Sequence, residues 1–235
     1  INQLINNLAK THYRWGQAVN VTIRMPTGGG VNAGPFHSQN LESLFMHIPG
    51  LKILYPSSPY DAKGLLVSAI YDPNPTLFFE HKFLYRTQKE DVPKNLYSIE
   101  IGKGKIIQEG EDLTIVAIGQ MVGIALSCSD AFSEKNISYE IIDPRSLSPF
   151  DENIIFDSVE KTGRLLIIDE STPICSFGSW IASLVSQEAF SSLKAPIKVL
   201  TPPHCPVPAA PNLEAAYLPN ADEIILSSVN MVNYK

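Results

Sequence analysis

The chain has 235 residues, 44% of them hydrophobic and 18% charged, with a formal net charge of −6. That length supports one large or two modest domains, and the negative balance argues against nucleic acid, which favours basic faces. No apolar run approaches the length of a membrane span, so a soluble protein with no membrane partner is expected.

Charge is unevenly placed: residues 1–100 carry +2 and residues 101–235 carry −8. The split reads either as a docking hint or as a well-solvated acidic domain. Cys128, Cys175 and Cys205 are odd in number and lack metal-ligand spacing. They are expected as reduced intracellular thiols, mostly buried.

In chain order, Ile1, Leu4, Ile5, Leu8 and His12 recur at helical spacing, so the chain opens inside an amphipathic helix with His12 packed. Neither a cap nor a Met precedes that helix, which predicts an N-terminally incomplete chain. A strand is expected over Val19–Ile23, then a loop rich in glycine (Gly28, Gly29, Gly30, Gly34) that ends on His37. Glycine lets backbone approach a ligand closely and tolerates positive φ, although ordering it is entropically costly. Histidine moves protons near neutral pH, so His37 is the best catalytic candidate. Locally, the same stretch reads equally as a mobile connection with an incidental histidine.

A helix over Leu41–His47 and a buried strand over Leu51–Tyr55 follow. Ser58 is placed as an N-cap, with Pro59 and Asp61 in the first turn of a helix running to about Tyr71. Asp72-Pro73-Asn74-Pro75 stops that helix, because neither proline extends it. Its unpaired terminal carbonyls are also oxygen donors of the kind that suit a hard cation. Thr76–Glu80 is a further buried strand, and the short connections imply a parallel sheet.

From His81 to about Gly104 the pattern breaks, and a domain boundary is placed there, giving units 1–98 and 99–235. The second unit has expected strands at Leu113–Ile118, Tyr139–Ile142, Leu165–Ile168 and Ile197–Leu200. Its helices are expected at Met121–Lys135, Asp151–Thr162, Trp180–Phe190 and Ala221–Val232. In the first of these, Met121, Ile124, Ala125, Ser127 and Cys128 should face inward. The fold class is therefore α/β, with two layered, parallel-sheet domains. His47 and His81 read as structural, and His204 as part of a proline-rich turn. Thr172–Gly178 is either a binding loop or the lead-in to a helix.

Several stretches carry a resemblance when taken together: the Arg24 loop, His37-Ser38-Gln39, Pro49-Gly50-Leu51-Lys52, Asp61-Ala62-Lys63-Gly64-Leu65-Leu66 and Phe79-Glu80-His81-Lys82. Asp143 to Pro149, Lys161-Thr162-Gly163-Arg164 and the tail from Pro206 to Asn220 extend it over essentially the whole chain. The chain resembles the β subunit of the thiamine-dependent E1 component of 2-oxo acid dehydrogenase complexes, a family of pyruvate, branched-chain and acetoin enzymes. The resemblance implies a partial transketolase-like pyrimidine-binding domain followed by a transketolase C-terminal-like domain. It implies an oxidoreductase that oxidatively decarboxylates a 2-oxo acid (pyruvate or branched-chain) with thiamine diphosphate and transfers the acyl group to the lipoyl group of E2.

By the same resemblance His37 matches the histidine that reaches the cofactor from the β subunit. Val21, Ala69, Ile70, Asp72 and Asn74 match positions that bind potassium, largely through backbone oxygens, although a plain helix stop explains that turn as well. The implied partners are an E1 α subunit, in an α2β2 heterotetramer, and the lipoyl and subunit-binding domains of E2. A basic subunit-binding domain would suit the −8 half. The family's magnesium–diphosphate motif is absent from this chain, which fits a β chain whose α partner holds thiamine diphosphate and Mg2+. The glutamate that activates the cofactor would lie upstream of Ile1, so no cofactor-binding residue is assigned to this segment. Activity is then expected only with the α subunit and the upstream segment, and a non-catalytic interaction module is the alternative. The compartment implied is the bacterial cytoplasm, or the mitochondrial matrix in a eukaryote.

Overall fold

In the computed structural model, which describes residues 1–234, nine strands form two sheets. The first sheet uses β1 (Thr22–Thr27), β2 (Lys52–Leu54) and β3 (Thr76–His81) in parallel, with β3 central. The second uses β4 (Lys105–Gln108), β5 (Leu113–Ala117), β6 (Tyr139–Asp143), β8 (Leu165–Ile168) and β9 (Lys198–Leu200) in the order β4-β6-β5-β8-β9. All its pairings are parallel except that of β4 with β6. The short β7 (Ser146–Ser148) comes from the second half of the chain yet pairs antiparallel with β2, completing the first sheet.

Helices fill the connections. In the first half they are α1 (Ala9–Trp15), which continues a π-helical stretch over Gln3–Leu8, α2 (Gly34–His37), α3 (Glu42–Met46), α4 (Pro59–Tyr71) and α5 (Leu84–Thr87). The second half adds α6 (Gln120–Ser127), α7 (Ser129–Glu134), α8 (Glu152–Thr162), α9 (Phe177–Glu188), α10 (Pro211–Tyr217) and α11 (Ala221–Val232). The α4 helix starts where a cap allows: the Ser58 hydroxyl accepts from the Asp61 N–H at 3.1 Å, with Pro59 in the first turn.

Alternation along each buried strand decides which core each side chain enters. Phe78 turns to one side, against Leu54 and to Leu65 and Ala69 of α4. Leu77 and Phe79 turn to the other, into a core shared with Val116, Ile142 and Leu165 of the second sheet and with Phe177 of α9. Behind the second sheet, Ile115, Leu166 and Ile168 pack on Met121, Phe132 and Ile224. The two halves are therefore joined by a continuous apolar layer. A polar network reinforces the join, in which the Ser57 hydroxyl donates to Asp143. The Arg145 guanidinium donates to Asp61 at 3.1 Å and to the Lys103 and Gly104 carbonyls at 3.1 and 3.0 Å.

Several expectations shift. The first strand is Thr22–Thr27, not Val19–Ile23, and so includes Pro26. β1 is an edge strand, where a missing N–H removes no ladder bond. The long helix over Met121–Lys135 is broken at Cys128 into α6 and α7, and Ser127 is exposed. The Trp180 helix begins three residues earlier, at Phe177, because the Ser176 hydroxyl caps it by accepting from the Ser179 N–H. The helix expected over Leu41–His47 shrinks to α3, and His12 is exposed, not packed. Cys128 is buried, but Cys175 and Cys205 are exposed free thiols. Among the described residues no helix is long and apolar enough to cross a membrane.

Burial pushes the Asp143 carboxyl up to about 7, against the hydrogen bonds from Ser57 and the Arg145 N–H, which favour the charged form. An acid raised on folding stabilises the fold most below its unfolded value, about 4, and that contribution is lost as pH rises through about 7. Asp143→Asn keeps the shape without the charge, so its melting temperature should fall less than that of wild type between pH 5 and pH 8. Thermal melts followed by circular dichroism at the two pH values test this, and parallel profiles would remove Asp143 from the explanation.

Candidate active site

The loop between β1 and α2 leaves the sheet at the C-terminal ends of parallel strands, where crevices form in α/β sheets. Thr27 anchors its start: the hydroxyl donates to the Gln39 carbonyl at 2.6 Å, and the Gly28 N–H reaches the same oxygen at 3.3 Å. These bonds tie the two ends of the loop together across its base. His37 lies at the end of α2 with its side chain exposed, on the rim of a cavity of about 810 Å3 lined also by Met25, Phe79, Lys82 and Phe83. The Lys82 ammonium, pulled down by partial burial, donates to the His37 carbonyl.

The loop is not mobile packaging. Thr27, Gly28, Gly29 and Gly34 are buried. The second half of the chain grips the loop through two carboxylates. Glu170, just beyond β8, accepts the Gly29 N–H at 2.7 Å, and Glu214 of α10 accepts the Asn32 N–H at 2.8 Å. Glu170 also meets His81, at the end of β3, with Oε2 2.7 Å from Nε2. A carboxylate can only accept, so the shared hydrogen belongs to Nε2. Gly28 has φ +90°, and a Cβ there would collide with the His81 imidazole. Glycine is thus required at that position both for its conformation and for its lack of volume.

Beneath the loop lies a buried acidic group. Burial, and then the charge of Asp169, pushes Glu42 up to about 8, which favours its neutral form. Asp169, raised by burial, is held by the Ser171 N–H and hydroxyl at 2.9 and 2.8 Å and by the Gly178 N–H at 3.0 Å. Five buried polar atoms here have no partner among the described residues: Ser38 Oγ, Asn40 Nδ2, Glu42 Oε2, Ser43 Oγ and His81 Nδ1. Unpartnered atoms of this kind collect at functional sites.

The five positions singled out for a cation converge elsewhere, between the end of α4 and the entry to β1. The Ile70 and Asp72 carbonyls accept the Asn20 side-chain amide at 2.8 and 2.5 Å. The Ala69 carbonyl accepts the Thr22 hydroxyl at 2.9 Å, and the Val21 carbonyl accepts the Thr76 N–H at 2.9 Å. The Asn74 N–H donates to the Asp72 carboxylate at 2.9 Å, and that carboxylate also pairs with Lys52. Among the described residues no cluster of three His, Cys, Asp or Glu side chains could hold a metal ion.

His37 and the five positions expected for a cation thus lie in two separate places. His81, read as structural, is buried and supports the loop, while His47, read the same way, is exposed. Glu170, Glu214 and Glu42 were not singled out from sequence. The available signal was Asp169-Glu170-Ser171 directly after an apolar strand, since polar residues at the C-terminal end of a parallel strand point to a crevice.

Comparison with known proteins gives two family matches: the transketolase pyrimidine-binding domain over residues 3–88 and the transketolase C-terminal domain over residues 102–224. The chain is 48% identical over 233 residues to the acetoin:2,6-dichlorophenolindophenol oxidoreductase subunit beta of Bacillus subtilis, covering 98% of this chain and 68% of that protein. It is 40% identical over 227 residues to the 2-oxoisovalerate dehydrogenase subunit beta of the same organism (95% and 69% covered). To its pyruvate dehydrogenase E1 component subunit beta it is 36% identical over 236 residues (100% and 72% covered). The chain therefore spans about two thirds of the length of these relatives. In fold it is similar to a split-gene transketolase solved as an inactive β4 tetramer, with a TM-score of 0.79 at 21% identity, covering 100% of this chain and 71% of that one.

The grip on the loop predicts a graded response to added methyl groups. Gly28→Ala should cost the roughly 1–2 kcal/mol of a left-handed L-residue plus roughly 1–3 kcal/mol of overpacking against His81. Gly16→Ala, at φ +69° with open space around it, should cost only the first part. Urea unfolding of the two variants measures the difference, and equal losses would show that the contact with His81 has slack.

Proposed function

The chain belongs to the family of E1 β subunits of 2-oxo acid dehydrogenase complexes, built on the two transketolase domains, and on that footing we propose the following role. It is the β subunit of an E1 enzyme that oxidatively decarboxylates a 2-oxo acid with thiamine diphosphate and passes the acyl group to the lipoyl group of E2. The observation that supports this reading is His37, a titratable side chain on the rim of a cavity, on a loop held at both ends and at two internal amides.

Within that reading, His37 orients the lipoyl end of the reaction and moves its proton, while Lys82 fixes the His37 backbone. Phe79, Phe83 and Met25 offer an apolar wall that excludes water and fits a heteroaromatic ring. The residues here thus fit one side of thiamine diphosphate, which when bound supplies the electron sink for decarboxylation. The diphosphate and Mg2+ are assigned to an α subunit in an α2β2 assembly, and the activating glutamate to the segment upstream. The −8 half is assigned to docking the E2 subunit-binding domain. The division between the two domains is placed at residue 98. A second reading, with acetoin as acyl donor, is favoured by the 48% identity to an acetoin enzyme subunit. Dye reduction by the reconstituted enzyme with pyruvate, 3-methyl-2-oxobutanoate and acetoin in turn distinguishes the donors.

For the second site we propose potassium, held by the Val21, Ala69, Ile70, Asp72 and Asn74 oxygens. A set of oxygen donors alone suits a hard cation, and entry of the ion requires the Asn20 amide to leave the carbonyls it now occupies. The melting temperature should rise with potassium more than with sodium at equal ionic strength, as linkage requires. Identical melting curves in the two salts would count against the site.

In the assembled enzyme, His37→Ala should leave the fold and the dye-coupled decarboxylation within a few-fold of wild type. Acyl transfer to the lipoyl domain should fall by about 10²–10⁴, the usual cost of losing one positioned acid–base group. Wild-type rates in both half-reactions would rule out this role for His37. A variant that does not fold would make His37 a structural residue.

A further inference from the structure

We propose that Glu170 is a positioning residue for acyl transfer: from the end of β8 it sets the glycine loop, and through the loop the placement of His37. The inference rests on the role proposed for His37. Four observations carry it. Glu170 is buried, and its two oxygens are divided between two partners on the other half of the chain, the Gly29 N–H and the His81 imidazole, each at 2.7 Å. The space between them is closed, since a Cβ on Gly28 would strike His81 and one on Gly29 would lie 3.0 Å from Glu170 Oε1. His81 stacks on Tyr55, with ring centroids 6.4 Å apart at an interplanar angle of 19°. The Tyr55 hydroxyl donates to Asn40 Oδ1 at 2.8 Å, and Thr27 meets the same oxygen at 3.1 Å.

The chain of contacts therefore runs Glu170, His81, Tyr55, Asn40, and reaches both sides of His37: Thr27 at the start of its loop and Asn40 just after it. Glu170 does not line the cavity beside His37, so it acts through the loop and not on the reacting groups. His81 Nδ1 has no partner among the described residues, so the imidazole has one anchoring bond, and Glu170 supplies it. Without that acceptor both the Gly29 N–H and the His81 N–H are left unpaired in a buried place, and the loop is free to move by a fraction of an ångström. A shift of about one ångström in a reacting group can cost about 10²-fold in rate.

The test uses the assembled enzyme and compares Glu170→Ala, Glu170→Gln, His81→Gln and His37→Ala in both half-reactions. Glu170→Ala should slow acyl transfer to the lipoyl domain at least about tenfold, within the range that misplacement allows, while dye-coupled decarboxylation changes less than about twofold. The effect should fall on the turnover number with lipoyl domain and not on its KM. Glu170→Gln still accepts from Gly29, and His81→Gln still donates to Glu170, so both should recover part of the transfer rate. They also keep the proposal open to test if Glu170→Ala fails to assemble. Full transfer in the Glu170 variants beside a crippled His37→Ala would overturn the clamp alone, as would equal losses in both half-reactions. Full transfer in His37→Ala would instead overturn the underlying reading of His37.

Discussion

A carboxylate that leaves one sheet to hold a loop on another is the interaction on which the shape of the candidate site depends. Glu170 brings its two acceptor oxygens to the Gly29 N–H and to His81, which are separated from it by 141 and 89 residues. Hydrogen bonds to charged groups contribute about 1.5–3 kcal/mol each. Two of them form a sizeable fraction of the roughly 5–15 kcal/mol by which a domain is stable. They are spent on a stretch that has little side chain to pack, so polar contacts decide its shape where apolar burial cannot.

The surroundings of that clamp are expensive to build. Glu42, Asp169 and Glu170 lie close together and buried, and the fold accommodates them by raising the Glu42 carboxyl toward its neutral form and by surrounding Asp169 with three donors. An uncompensated buried charge would cost several kcal/mol, and most stable folds avoid such a cluster. Here the acids sit where a backbone loop offers free N–H groups, and carboxylates are the acceptors that bind those groups most strongly. Polar atoms left without partners under the loop are consistent with a region shaped for chemistry more than for stability.

The clamp holds only because the two halves do not move independently. Leu77 and Phe79 of the first sheet share a core with Val116 of the second and Phe177 of α9, and β7 crosses over to pair with β2. Removing one buried phenylalanine from such a layer costs about 3–5 kcal/mol, as much as both hydrogen bonds of the clamp together, and the layer holds many such side chains. The apolar layer therefore sets the distance between sheets, and the carboxylates make the fine adjustment at the loop.

Much of the fold is legible in the residues themselves. The strands at Leu113–Ala117 and Leu165–Ile168, the helix from Pro59 to Tyr71 with its Ser58 cap and the helix over Ala221–Val232 follow from apolar period and capping chemistry. Both signals are local, written in residues two to four positions apart, so the sequence by itself determined the α/β class and the loop that ends on His37. It did not determine what holds that loop. Pro26 enters a strand only because β1 became an edge, and Ser146–Ser148 became a strand only because β2 offered an unpaired side. His81 reads from sequence only as structural, and what it supports was decided when the chain beyond β8 delivered Glu170 beside it. A contact across 89 residues leaves no period in either segment. It exists only once the shared core has set where the chain returns, and that decision belongs to the tertiary structure.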